Sequence, residues 1–402
     1  MLGERPTASQ SPPLGDAEAR GDIPLNTNRQ GIAVPGETNL YSRIIEIAEH
    51  DDVYEFMFAQ GITDGLPVIP PTRERVDRML ACAPEHWSDP QKIVATLPPN
   101  TAPMSVEKAA INAVMAGCSP KFFPTVLASV EAAAGGQFPL HGSIATTAGL
   151  APMMLVNGPV REQIGMNWGL NALGQGNRAN STLGRALRLM LRNIGGAVPG
   201  EIEQAIQGGG HKWTLSYAED EDYSPWEPFH VEHGYDPNDS VVSLLPITGG
   251  PRVCIDQTSR NGRALTGSIA MAFQQVVKPR GQVSPTMFVI SPEHADVYRA
   301  DGWSKDNIRE AIMEFTALPL RERLATPTMG GGINEYLPEQ HGLTEEQFDM
   351  PMSKVADPSF IQITVAGSHA GKWTSIYQGI FGDGNPAAPP PMFVPPSALV
   401  RS

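Results

Sequence analysis

The chain has little positive charge, little cysteine and no long apolar stretch. Lysine and arginine number 29 against 43 aspartates and glutamates, which gives a formal net charge of −14. Such an acidic chain repels phosphate backbones and anionic lipids, so we expect no binding to nucleic acid or membranes. Three cysteines are too few for the disulfide framework of a secreted domain. With no bilayer-spanning apolar run and no signal-peptide pattern at its start, the chain is expected to be cytoplasmic.

The composition is sufficient for a large folded body with extended ends. Hydrophobic residues make up 41% of the 402 residues, and 40 glycines and 38 prolines imply many turns. Residues 1–36 are polar and aperiodic, which predicts a flexible or strap-like N-terminal arm. Residues 385–402 form a proline-rich C-terminal tail. Residues 37–384 then form the catalytic body, either as one unit or as two halves that meet near residues 200–240.

The body alternates helical and strand-like patterns. Apolar spacing and capping residues predict helices over 39–60, 73–81, 106–116, 124–134, 180–193, 293–300 and 305–315. Short apolar runs predict strands over 151–156, 241–245, 286–290 and 360–365. This alternation predicts an α/β fold, a mixed sheet with flanking helices and with extended, proline-rich N- and C-terminal tails. Residues 152–159 resemble residues 285–292; two ordinary strand ends are the interpretation favoured by the sequence, and duplication is the alternative.

The segment from Leu173 to Arg185 predicts an anion-binding helix start. Its glycines allow close approach of the backbone, and its polar residues supply donors where the helix dipole favours negative charge. Lys372 adds a cation from a second glycine-containing turn. The predicted substrate-binding residues are Gly174, Gly176, Asn177, Arg178, Asn180, Arg185 and Lys372. The alternative is a well-capped, arginine-bearing helix with no ligand.

Three residues are candidates for catalysis. Cys118 follows a predicted helix and would be a nucleophile if a helix start or an arginine lowered the pKa of its thiol. His211 and His369 both lie beside glycine-rich turns and are candidates for proton transfer. The alternatives are a small buried thiol and histidines that only form structural hydrogen bonds.

A separate loop offers ligands for a metal. His230, His233, Glu219 and Glu227 lie close together in sequence, and imidazole and carboxylate groups are common ligands of a divalent metal. Prolines on both sides exclude the helical spacing of known metal motifs. A solvated acidic loop is the alternative interpretation.

Several stretches together resemble a known group of proteins. They are Asp64–Thr72, Ala113–Cys118, Val156–Pro159, Gly176–Asn180, Ser224–Pro228, Pro292–Ala295 and the turn over 366–372. On these the chain resembles bacterial proteins related to, or encoded beside, the UGSC family of thiol and selenocysteine proteins. The resemblance implies a partner protein with a reactive thiol or selenol, and lyase or reductive chemistry on a small electrophile. This chain lacks a Cys-Gly-Ser-Cys sequence, so thiol chemistry would need Cys118 or the partner's group.

The leading hypothesis is therefore an enzyme, or the large subunit of one, that acts on a small anionic organic substrate. The chemistry would be thiol-assisted lyase or reductive (oxidoreductase) chemistry, with the anion held by residues 174–185. The first alternative is a metal-dependent hydrolase or lyase that uses the 219–233 segment. The second is a non-catalytic assembly or ligand-binding subunit. A homo- or hetero-oligomer is expected under all three, because the proline-rich ends favour assembly.

Overall fold

The computed structural model describes residues 40–48, 51–135, 139–277, 280–283, 285–333, 342–379 and 393–401. The predicted N-terminal arm and residues 385–392 of the predicted tail lie outside this part of the chain. The described α-helices are α1 (Val53–Ala59), α2 (Arg73–Leu80), α3 (Val106–Ala116), α4 (Phe123–Ala134), α5 (Leu140–Ile144), α6 (Val160–Gln163), α7 (Arg178–Asn193), α8 (Phe229–Glu232), α9 (Gly262–Gln274), α10 (Pro292–Asp301), α11 (Lys305–Phe315), α12 (Leu320–Arg323) and α13 (Glu345–Asp349). None of the helices in this part combines the length and apolar content needed to cross a bilayer.

The described strands form two four-stranded sheets and two short two-stranded sheets. They are β1 (Ile93–Leu97), β2 (Ala102–Ser105), β3 (Ala151–Asn157), β4 (Ser216–Ala218), β5 (Val241–Ile247), β6 (Arg252–Ile255), β7 (Thr286–Ile290), β8 (Leu318–Pro319), β9 (Pro351–Met352), β10 (Ile361–Val365), β11 (Trp373–Gln378) and β12 (Ser397–Leu399). The first sheet has the order β12-β5-β3-β4 and the second the order β10-β7-β11-β6. Both sheets are mixed, because β3 is parallel to β4 and β7 to β10 while the other pairs are antiparallel.

Side chains that alternate along the strands build a four-layer body. Met154 and Val156 of β3 pack with α3, α4 and α7 on the outer face of the first sheet. Met153 and Leu155 point the other way, into a core shared with Met287 of the second sheet. The outer face of the second sheet packs on α9, α10 and α11. The order is therefore helices, sheet, sheet, helices, and the predicted α/β fold with mixed sheets and flanking helices is confirmed.

The two sheets have the same topology. Each half contains a first strand, two helices, a parallel second strand and an antiparallel third strand: β3, α6, α7, β4 and β5 in the first half, β7, α10, α11, β10 and β11 in the second. The fourth strand of each half, β6 or β12, crosses to the edge of the other sheet and pairs there with β11 or β5. The topology therefore favours duplication over two ordinary strand ends as the origin of the resemblance between residues 152–159 and 285–292.

The register of the strands supports the same conclusion. Val242 pairs with Val156 and Ala398, and Thr374 pairs with Ile290 and Cys254. Ala218, which follows Tyr217, pairs with Val156, and Val365, which follows Thr364, pairs with Ile290. Tyr217 of β4 is therefore equivalent to Thr364 of β10. The hydroxyl groups of these two equivalent residues form a buried hydrogen bond of 2.9 Å. Equivalent residues meet in this way when two halves are related by a two-fold axis, which here runs between β4 and β10.

Local sequence patterns predicted most of the elements. The helix over 106–116 begins at the Ser105 cap and ends at Gly117, as expected. The helix predicted over 39–60 was wrong over its first part, because within the described residues of this range only Val53–Ala59 is helical. Residues 40–48 form neither helix nor strand, and the buried carboxylate of Glu107 accepts hydrogen bonds from the backbone N–H groups of Tyr41 and Ser42. A distant acid therefore fixes this segment, and its own sequence does not show that contact.

Candidate functional site

The two halves meet at the carboxyl ends of β4 and β10. The backbone N–H of Asp220, just after β4, donates to the carbonyl of Val365 at the end of β10 (2.8 Å). The N–H of Gly367, just after β10, donates to the carbonyl of Trp168 in the loop between α6 and α7 (2.8 Å). Ligands of α/β proteins bind where the carboxyl ends of strands leave a crevice between loops. Side chains that carry chemistry are therefore expected at this edge.

An imidazole and a carboxylate from different halves come together here. His369 lies on the turn after β10, and its Nε2 is 4.0 Å from Oδ2 of Asp220. The His369 side chain is 59% exposed, whereas that of Asp220 is 6% exposed. Burial raises the pKa of Asp220, and the N–H of Tyr223 and the nearby His369 partly offset this effect. The arrangement presents an accessible histidine supported from behind by a buried acid, which is suited to general acid–base catalysis.

Tyr223 fixes the position of the histidine ring. The two rings pack edge to face with centroids 4.2 Å apart. The Tyr223 hydroxyl donates to the carboxylate of Asp296 on α10 (2.9 Å), and the Arg299 guanidinium lies over the tyrosine ring. Because α10 belongs to the second half and Tyr223 to the first, the same contacts hold the two halves together at this edge.

A network of buried charges continues from Asp220 along the first sheet. The amide Nδ2 of Asn157, the last residue of β3, donates to Glu219 Oε2 (2.7 Å) and to Glu221 Oε1 (2.9 Å). Arg161 approaches Glu221 at 3.4 Å and Asp222 at 3.3 Å. Glu221 also accepts a hydrogen bond from the N–H of Gly158 (2.7 Å). Gly158 has a positive φ, and a Cβ added to it would collide with the carbonyl of Asp239. We call Asn157, Arg161 and the four carboxylates of residues 219–222 the edge cluster.

Glu219 is the most deeply buried acid of the edge cluster. Its side chain is 0% exposed, and burial raises its pKa to about 7. The charge of Lys305 and hydrogen bonds from the Phe229 N–H and Asn157 limit the rise. A carboxyl group with a pKa near neutrality exchanges protons readily at physiological pH.

The raised pKa of Glu219 predicts a pH dependence of stability. The folded state holds the proton more tightly than the unfolded state, whose ordinary value is 4.5. The wild type should therefore lose stability relative to Glu219→Gln as the pH rises from about 4.5 to 7, by about 3 kcal/mol in all. Urea unfolding of both proteins at pH 5 and pH 8 measures the difference. A constant difference between the two proteins at both pH values would contradict the prediction.

The loop predicted to bind an anion uses its donors internally. Arg185 forms two 2.8 Å contacts with the carboxylate of Asp64, and Arg178 donates to the carbonyls of Gly117 and Cys118. Asn177 caps α7, and Asn180 bonds the backbone of Asn167. The glycines 174 and 176 lie in the same loop, where the N–H of Gly174 donates to the carbonyl of Asn171. These internal hydrogen bonds favour the alternative of a well-capped helix with no ligand, and the anion site stays a prediction.

Cys118 does lie beside this loop, but not as an activated thiol. Its Sγ contacts the carbonyl of Thr182 on α7 at 3.4 Å, and the residue is 5% exposed. Burial raises the pKa of the thiol to about 12, in spite of the nearby charges of Arg178 and Arg185. Desolvation outweighs the two arginines, so the structure gives no support to the role of nucleophile, which stays a prediction.

The buried state of Cys118 predicts its reaction with alkylating agents. With a pKa of about 12 instead of the ordinary 9.0, its thiolate fraction at neutral pH is roughly a thousandfold lower. Peptide mass spectrometry after iodoacetamide treatment should find Cys82, which is partly exposed, modified in the native protein and Cys118 modified only after unfolding. Equal rates at the two cysteines in native protein would contradict this.

The remaining predicted residues are dispersed. His211 lies against the carbonyl of Gly149 (2.6 Å), near an ion pair of Lys212 with Glu203, and burial lowers its pKa. Lys372 lies in the turn after His369, where its carbonyl accepts from the N–H of Asp256. Among the residues that the structure describes, no three His, Cys, Asp or Glu side chains converge as metal ligands. His230, His233, Glu219 and Glu227 therefore do not form the alternative metal site, and His233 Nδ1 instead contacts the carbonyl of Phe229.

Comparisons with known proteins found no relative of this chain. Family models, curated proteins and solved structures were all compared with the chain, and none of them matches. The resemblance to the UGSC family therefore stays a prediction, and the chemistry of the site has to be argued from its own residues.

Proposed function

We propose that the protein is an enzyme that catalyses proton transfer on a small organic substrate, in an elimination or addition of the lyase type. The observation that carries this proposal is the exposed ring of His369 in front of the buried Asp220, 4.0 Å away, at the carboxyl edge of both sheets. An imidazole can take a proton from the substrate or return one. The separation of 4.0 Å is longer than a hydrogen bond, and catalytic contacts often tighten only when substrate binds.

The roles of the surrounding groups follow from their contacts. Asp220 orients the imidazole, while Tyr223 and Asp296 hold the ring in place. The thiol-assisted and reductive variants of the hypothesis have less support, because Cys118 is buried and its pKa is raised. Localisation in the cytoplasm, an oligomeric state and a thiol or selenol partner remain proposals beside this one.

Incorporation of deuterium from solvent tests the proposed function. The full chain is incubated in D₂O with ethanolamine, serine, malate and pyruvate, and mass spectrometry measures exchange of carbon-bound hydrogen in each compound. We expect exchange above the protein-free rate in at least one compound, and its loss in His369→Asn. Exchange at the protein-free rate throughout, or an equal rate in the variant, would contradict the proposal.

A further inference from the structure

Two buried acceptor atoms of the edge cluster have no hydrogen-bond donor. They are Oδ1 of Asn157 and Oε1 of Glu219, and both residues are 0% exposed. A buried acceptor without a donor costs about 1–3 kcal/mol, so such atoms are normally satisfied. Within the described residues no donor meets either atom, while Arg161 of the same cluster has two buried donors, Nε and Nη1, without a hydrogen-bond acceptor. The two open acceptors leave a place for a group from a bound molecule.

The hydrogen bonds around Asn157 define which of its atoms is open. Its Nδ2 lies 2.7 Å from Glu219 and 2.9 Å from Glu221, and only a donor is stable between two carboxylate oxygens. The amide oxygen must therefore be the open atom. The other oxygen of Glu219 is already used, because Oε2 also accepts the N–H of Phe229 at 2.8 Å. When Glu219 is ionised both open positions are acceptors, and the group that meets them is then a donor.

The charges of the edge cluster favour a positively charged donor group. Four consecutive carboxyl groups, residues 219–222, share the single guanidinium of Arg161 within the cluster. Lys305 acts on Glu219 from further away, and it is itself paired with Glu232 at 2.6 Å. The carboxylates continue from the buried Glu219 to the surface, where the side chain of Asp222 is 70% exposed. This acidic path attracts cations and repels anions.

We propose that Asn157 Oδ1 and Glu219 Oε1 bind the ammonium group of a primary amine. An ammonium group carries three donors and no acceptor, and it needs little more room than a water molecule. Its carbon skeleton would extend from the buried acceptors along Glu221 and Asp222 towards Asp220 and His369. This inference rests on the proposed function, because it assigns a charged group to the substrate of the same site, opposite in sign to that expected from the sequence.

Binding of simple amines to the full chain tests the inference. The probes are methylammonium, ethanolamine and glycine, with acetate and tetramethylammonium as negative controls, and saturation-transfer NMR gives each dissociation constant. We expect the primary amines to bind and the two controls not to bind. Tighter binding of ethanolamine identifies an amino alcohol skeleton and tighter binding of glycine an amino acid; either result supports an ammonium site.

Substitution of Glu219, which carries one of the two open acceptors, gives a second test of the inference. Glu219→Gln keeps the shape but removes the charge and one acceptor, and should weaken methylammonium binding at least tenfold. Glu162→Gln is the matched control, because Glu162 is an exposed acid 3.8 Å from Arg161 outside the edge cluster. It should change the dissociation constant less than twofold. A cooperative unfolding transition in urea at pH 5 establishes that both variants are folded.

Two results would overturn the inference. One is an absence of amine binding to the wild type, which would leave only water at the two acceptors. The other is equal binding by wild type and Glu219→Gln, which would place the amine elsewhere. Neither depends on His369, because amine binding is measured without turnover. Exchange that depends on His369, found together with no amine binding, would retain the proposed function and reject the ammonium site.

Discussion

Replacing His369 with asparagine should lower deuterium incorporation by a factor of about 10² to 10⁴, with the fold unchanged. Asparagine keeps polar contacts at the turn but cannot carry a proton at neutral pH. The ring is 59% exposed and packs against Tyr223, so its loss should cost little stability. Because the substitution removes the group that transfers the proton, it should lower the rate of exchange and leave the substrate concentration for half saturation unchanged.

A histidine elsewhere on the surface provides the control for this experiment. His141 lies on α5 and is exposed, and His141→Asn makes the same chemical change outside the candidate site. Its exchange rate should equal that of the wild type. A loss of exchange in both variants, or in neither, would contradict the assignment of proton transfer to His369.

Replacing Arg323 with methionine should destabilise the protein by about 3 kcal/mol or more. The guanidinium is 0% exposed and donates to the carbonyls of Met352, Arg280 and Thr316, at 2.8, 3.0 and 2.6 Å. Each carbonyl that loses its buried donor costs about 1–3 kcal/mol, while the methionine recovers part of this by removing a charge from the interior. Burial lowers the pKa of Arg323 to about 10, which still leaves it charged at neutral pH.

The neighbouring Arg321 is a matched control on the same helix, α12. Its side chain is 52% exposed and forms ion pairs with Glu345 and Asp349 at the surface. Exposed pairs contribute little, so Arg321→Met should leave the urea midpoint almost unchanged. Equal urea midpoints for the two variants would contradict the stabilising role of the three buried hydrogen bonds of Arg323.

Elements defined by local patterns were predictable from the sequence. The strand over 286–290 and the helix over 106–116 have the predicted bounds, and α7 begins two residues earlier than expected because Asn177 caps it. These features depend on apolar spacing and capping within about one turn of chain. The sequence indicated the duplication only weakly, because β3 and β7 occupy equivalent positions in their sheets but have few residues in common.

The candidate site was only partly predictable, because its contacts join distant parts of the chain. Gly174 to Arg185 had the local composition of an anion site, but the partner of Arg185 is Asp64, 121 residues away. Cys118 lies near two arginines, as an activated thiol requires, yet burial dominates its pKa. The sequence did indicate His369 and the acids near Glu219, but not that Asp220 and Tyr223 would meet the histidine from the other half.

The coupling between His369 and Asp220 is the central claim, and a double-mutant cycle on deuterium incorporation tests it most directly. Rates are measured for the wild type, His369→Asn, Asp220→Asn and the double variant. If Asp220 acts through the histidine, Asp220→Asn should slow the wild type by tenfold or more and should leave the rate of His369→Asn unchanged. An equal slowing in both backgrounds would show that the two residues act independently and would contradict the account.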